Sequence, residues 1–281
     1  MERRLTKQVW GAYPYLFWMI VFTAVPLALL FYFSLTVKPA NDSAAVFSWE
    51  NFGRFLEPIY LKVLIRSLIL AGFSTLICLL VGYPAAMILA DRKLNFKSTV
   101  VLLMVLPMWM NFLLRTYAWL ALLERKGFIN TVLGYLGIAP INLLYNDFAV
   151  TLGMVYNFLP FMVLPIYSVL SKIDHSVVEA AEDLGATPAR TFLKVIFPLS
   201  LPGVSSGITM VFMPAVTTFV ISRLLGGGQY TLIGNLIEQQ FLTVGDWNFG
   251  SAISVVMMLI ILIGMGFTFR YEKEQEGGGL W

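Results

Sequence analysis

Charged side chains are scarce: they make up 12% of the 281 residues, against about a quarter in soluble domains. Histidine and cysteine are scarcer, with one of each, His175 and Cys78. A lone cysteine excludes a disulfide within the chain, and a lone histidine excludes a metal cluster built on several. Cys78 lies inside an apolar run and reads as a small core residue. His175 lies in a polar loop and reads as solvated. Motifs for self-sufficient chemistry are missing too. There is no G-x-x-x-x-G-K-[ST], so the chain is not expected to hydrolyse ATP. There is no H-E-x-x-H, so a membrane protease lacks support. Gly203-Val204-Ser205-Ser206-Gly207 has the G-x-S-x-G spacing but lies inside an apolar run, without the strand-to-helix context of a nucleophile elbow. The net charge is only +3, which argues for no nucleic-acid partner. No clear internal repeat is visible, and Asp and Glu cluster outside the apolar runs. Both points weigh against a stand-alone ion-coupled carrier.

What is abundant is apolar surface: 58% hydrophobic residues and a mean hydropathy of +0.78. A bilayer crossing needs about 20 apolar residues. Six runs qualify, near 13–35, 63–90, 98–123, 148–170, 199–222 and 249–269. The expectation is one all-α integral membrane domain over 1–281, embedded in a lipid bilayer. The first run follows Arg3, Arg4 and Lys7, exceeds a signal-peptide core in length and has no small-x-small site directly after it, so it reads as an uncleaved span. Pro14 and Pro26 are expected to bend it. Arg66 reads as snorkelling at the end of the second span. The third run holds Pro107, Trp109, Asn111, Arg115 and Tyr117. Arginine and asparagine are expensive in hydrocarbon, so they should face protein or water. Arg115 fits either a salt bridge to a carboxylate near the membrane edge or the wall of a polar route. Ile129, Val132, Leu133, Leu136 and Ile138 fit an interfacial amphipathic helix interrupted by Gly127, Gly134 and Gly137. Gly226-Gly227-Gly228 needs permissive backbone or close approach. Six spans put both termini on one side. Eleven Lys and Arg (Arg3, Arg4, Lys7, Arg92, Lys93, Lys97, Lys172, Arg190, Lys194, Arg270, Lys273) share that side, against seven on the other (Lys38, Arg54, Lys62, Arg66, Arg125, Lys126, Arg223). That places both termini in the cytoplasm.

The polar loop 171–198 stands apart. Ser176 with Glu179 fits a capping box that starts a helix. Gly185 suits the left-handed residue that ends it. Thr187 then Pro188 fits an N-cap and first helical position that restart it. Val177, Val178, Ala181 and Leu184 give the first helix an apolar side, with Glu179, Glu182 and Asp183 elsewhere. So short a helix needs a partner surface.

Glu179-Ala180-Ala181, three residues, Gly185, nine residues and Val195-Ile196-Phe197-Pro198 together resemble the signature of permease subunits of bacterial ABC importers. Val195 and Phe197 replace the usual Ile and Leu. The resemblance implies a type I ABC importer permease fold. It also implies a coupling helix, with Glu179, Ala180, Ala181, Asp183, Leu184, Gly185 and Pro198 at the joint with a cytoplasmic ATPase. No cofactor is then expected in this chain, since ATP and Mg belong to the ATPase. Phe47-Ser48-Trp49-Glu50-Asn51-Phe52 resembles the segment before the second span in many such permeases.

Within that family, further stretches are similar to the spermidine/putrescine permeases: Met108 to Phe112 with Arg115 and Tyr117, Leu159 to Val163, Phe212 to Val216, Leu224 to Gly227, Leu232 to Asn235, and Gly245 to Trp247. This implies an ATPase homodimer, a second similar permease, an extracytoplasmic binding protein and a bacterial cell-membrane location. A polyamine is a flexible multiple cation that calls for spaced carboxylates and aromatic faces. Trp109, Asn111, Tyr117, Phe219, Arg223, Glu238, Asp246 and Trp247 are the candidate path residues. Each aromatic equally suits packing or an interfacial belt. Arg223 stands where some polyamine permeases carry an acid; it is expected to pair with Glu238 or Asp246, or the acid to come from the second permease. Import of another solute (an amino acid, thiamine, iron or an anion) remains open. So do, more remotely, a secondary carrier and a membrane-embedded enzyme.

Overall fold

The computed structural model describes residues 13–37, 45–91, 96–228 and 230–277, and their side chains apart from those of Tyr13, Lys97 and 267–277. Arg3, Arg4, Lys7, Lys38, Arg92 and Lys93 of the charge count lie outside the described residues, as do the side chains of Lys97, Arg270 and Lys273.

In chain order, α1 (Tyr13–Met19) passes through a π-turn (Ile20–Ala24) into α2 (Val25–Ser34). The π-turn lies just before Pro26, where a proline ring would otherwise meet the carbonyl one turn back. Two short strands follow, β1 (Thr36–Val37) and β2 (Val46–Phe47), paired antiparallel with Thr36 opposite Phe47. Then come α3 (Glu50–Phe55), α4 (Pro58–Ala90), α5 (Lys97–Val105) with a 3-10 turn (Leu106–Trp109), α6 (Phe112–Leu123), α7 (Phe128–Tyr135) and α8 (Asp147–Leu170). The polar loop supplies α9 (His175–Asp183) and α10 (Pro188–Thr191), and a π-turn (Phe192–Ile196) leads into α11 (Phe197–Thr217). The chain closes with α12 (Val220–Leu225), α13 (Ile233–Gln239), a π-turn (Gln240–Val244) and α14 (Trp247–Gly277). Among the described residues, five helices are long and apolar enough to cross a membrane.

A sixth crossing requires counting a bent pair as one span. The third run is not the continuous helix its hydropathy suggests: 98–109 and 112–135 meet at 95°. Asn111 is the physical reason. Its side chain accepts hydrogen bonds from the N–H groups of Leu113 (2.8 Å) and Leu114 (3.4 Å), capping a new helix start within apolar sequence. The fifth run differs as well. Its helix runs over 188–217 and breaks at Thr218–Phe219 before the short α12, rather than filling 199–222.

The described residues fall into two compact units. The larger holds residues 63–235 and 261–281, and its centre is α8 lying along α11. Small residues permit that approach: a Cβ on Gly203 would stand 2.9 Å from the Pro165 carbonyl oxygen, and one on Gly207 2.8 Å from the Met162 sulfur. Cys78 of α4 is fully buried, its Sγ 3.8 Å from the Val155 carbonyl, as expected of a core residue. Arg66 does more than snorkel. Its guanidinium pairs with Asp147 at 2.8 Å and lies over the Tyr230 ring at 4.2 Å.

The smaller unit holds residues 1–62 and 236–260. Two buried or half-buried amides secure the backbone where α2 ends. Asn51 Nδ2 donates to the Ser34 and Thr36 carbonyls (3.2 and 3.0 Å), and Asn248 Nδ2 to those of Phe33 and Thr36 (3.1 and 2.7 Å). Beside them Arg54 pairs with Asp246 at 2.8 Å and stacks on Phe249 at 4.1 Å. Burial opposes the Arg54 cation, but hydrogen bonds to Asp246 and Tyr60 outweigh it and raise its pKa.

Candidate functional site

The loop between α8 and α11 is built by local rules. Asp174, not Ser176, caps α9: its carboxylate accepts from the Ser176 N–H at 3.1 Å. The expected capping box is therefore displaced by a carboxylate cap two residues earlier. The far end is a Schellman turn. Gly185 has φ +80°, its N–H reaches the Glu182 carbonyl at 2.8 Å, and the Ala186 N–H reaches that of Ala181 at 3.0 Å. Thr187 takes the extended cap conformation and Pro188 opens α10. The π-turn at Phe192–Ile196 then precedes Pro198, so the chain enters α11 without a break.

This geometry gives α9 two different sides. Val178 and Glu182 line a cavity of about 460 Å³, together with Met87, Leu170 and Ile196. Away from it stands Leu184, 89% exposed, with Val177 also exposed. A leucine so bare on a folded helix end is a ready anchor for another surface. Glu179 is exposed, 3.6 Å from His175 one turn earlier, so His175 is solvated but not isolated.

The path candidates divide between the two units. Trp109, Asn111, Tyr117, Phe219 and Arg223 belong to the larger, where α6 and α12 pack on each other and on α8. Trp109 and Tyr117 are exposed beside the break that Asn111 caps. Phe219 is exposed at the second break, and its carbonyl accepts from Asn235 Nδ2 at 2.8 Å. Glu238, Asp246 and Trp247 belong to the smaller unit. There Asp246 pairs with Arg54 and also caps α14 through the Phe249 N–H at 3.0 Å. Trp247 packs edge-on against Phe33 and Phe241. Arg115 forms no salt bridge with a carboxylate among the described residues, against that expectation.

Several organising residues escaped the sequence reading. Asn235 holds the second break: besides bonding Phe219, its Oδ1 accepts from Ser222 Oγ (2.5 Å) and the Leu232 N–H (3.2 Å). Gly234 beside it passes so close that a Cβ would stand 2.3 Å from the Thr217 carbonyl oxygen. Asn130 ties α7 down by donating to the Glu124 and Ile141 carbonyls (3.2 and 3.0 Å). The Gly226 to Gly228 run behaves as expected, with φ +64° at Gly227 and +72° at Gly228, and the Tyr145 ring against Gly227.

Apolar helices of spanning length, two broken spans and a capped polar loop with an exposed knob define an importer permease. The chain belongs to the family of binding-protein-dependent transport system inner membrane components, which it matches over residues 6–274. It is similar to the spermidine/putrescine transport system permease protein PotB of Salmonella typhimurium, with 39% identity over 259 residues, covering 91% of this chain and 90% of that one. PotB of Escherichia coli K12 is also 39% identical, over 247 residues, covering 87% and 90%. In fold it is similar to a chain of a bacterial ABC transporter involved in importing the acidic polysaccharide alginate, with TM-score 0.77, 16% identity and 95% and 99% coverage. This is the type I ABC importer permease fold.

Proposed function

We propose that this chain is the transmembrane permease subunit of an ATP-driven importer for spermidine and putrescine. It forms half of the translocation path with a second, homologous permease. A cytoplasmic ATPase homodimer, which holds ATP and Mg, drives the pair, and an extracytoplasmic binding protein delivers the solute. The chain has no catalytic role of its own and sits in the bacterial cell membrane with both termini inside. The observation that carries the coupling role is Leu184, standing 89% exposed on a Schellman-capped helix. The polyamine reading is supported by the 39% identity to the PotB proteins over nine-tenths of the chain.

ATP binding closes the ATPase dimer and displaces α9, with Leu184 and Glu179 at the joint. Continuous helix from Pro188 onward carries the displacement into the spans. The inward-open and outward-open forms must bind the solute with different affinity for net transport to result.

The test is uptake of labelled spermidine into vesicles holding the full complex. Glu179→Lys and Gly185→Pro should abolish uptake and weaken ATPase co-purification while the protein still inserts. Leu184→Ala removes an anchor worth about 2 kcal/mol, so ATPase affinity should fall about 30-fold. Normal uptake and normal co-purification in all three variants would refute the coupling role. Transport of sulfate but not spermidine would move the chain to another solute.

A further inference from the structure

Arg115 has no salt-bridge partner among the described residues. It is the fourth residue of α6, close to the positive end of that helix dipole, where a cation is disfavoured. Its Nε is shut off from solvent and has no acceptor. Arg54 pairs with Asp246, Arg66 with Asp147 and His175 with Glu179, and Arg115 is a member of none of these pairs. The nearby Asn111 oxygen is already taken by the Leu113 and Leu114 N–H groups. Phe112 offers a ring centroid at 5.9 Å, the outer limit of a cation–π contact. In the same stretch of chain Trp109, Met110, Leu113, Leu114 and Tyr117 are all exposed.

We infer that Arg115 is an assembly residue: its guanidinium receives a carboxylate carried by a membrane helix of the second permease, with the exposed apolar side chains of this stretch as further contact surface. This rests on the two-permease importer proposed above. The chemistry selects the partner. A polyamine cargo is itself cationic and cannot answer an arginine. Lipid phosphate is the competing anion, and its signature, dependence on anionic lipid content, is read in the same experiment. An intramembrane arginine settles where a protein anion meets it, and its planar fork matches a carboxylate.

The experiment is recovery of the second permease with tagged chain in detergent. Membrane abundance and ATPase co-purification serve as folding controls. Arg115→Met and Arg115→Glu should lower recovery at least about tenfold, a change of about 1.4 kcal/mol, with Arg115→Lys, which keeps the charge but loses the fork, falling between these and the wild type. Selection for polyamine-dependent growth from the Glu variant should return an acid-to-base change in the second permease. Wild-type recovery with the Met variant overturns the inference. So does an intact complex whose spermidine KM rises, which marks a path residue, or a loss that tracks anionic lipid content, which marks a phosphate partner. If the wild-type chain purifies without any second permease, the parent reading itself fails.

Discussion

At the scale of single residues, two glycines separate two kinds of constraint. Gly185 has φ +80° and open space where a Cβ would go, so its demand is conformational only. Gly234 meets the Thr217 carbonyl, so its demand is steric. Gly185→Ala should cost about 1 kcal/mol, confined to the loop, and leave the melting temperature of the purified protein unchanged. Gly234→Ala should cost about 3 kcal/mol through overpacking and lower that temperature by several degrees. Equal melting of the two variants would contradict the distinction. Gly185 was legible in the sequence because the signal for a left-handed helix stop is local. Gly234 was not, because nothing around it reveals which distant carbonyl will come near. Distance also hid the partner of Asp246, since Arg54 lies 192 positions away.

At the scale of elements, the informative events are the two breaks. Hydropathy sees 98–123 and 199–222 as continuous, because one asparagine or one Thr-Phe step barely changes an apolar average. Hydrogen bonding decides otherwise. Asn111, noted in the sequence as an expensive polar residue, offsets that expense by capping α6. At the second break Asn235 makes three polar contacts with Phe219, Ser222 and Leu232. Asn235→Ala should cost about 1–3 kcal/mol, and Ser222→Ala less. A double-mutant cycle on thermal stability should show the pair coupled by at least about 0.5 kcal/mol. Strict additivity would mean that the Ser222 hydroxyl is held by the Phe219 carbonyl alone. The long helices and α7 (Phe128–Tyr135) were visible in advance because their apolar spacing is local information, although Leu136 and Ile138 fall beyond the end of α7.

At the scale of the whole molecule, the charge asymmetry sets the orientation. With eleven basic residues against seven, both termini are expected inside the cell. A fluorescent protein fused after Trp281 should therefore glow, and a phosphatase active only outside the cytoplasm should be silent there. The reverse pattern would put the coupling loop out of reach of any ATPase.

The run from Pro188 to Thr217 is a single stretch of 30 helical residues. Such a rod is roughly 45 Å long at 1.5 Å per residue. Under the coupling proposed above, a rotation of that rod by about 10° about its Pro188 end would carry Thr217 through roughly 8 Å over that length, more than the width of an alkyl amine.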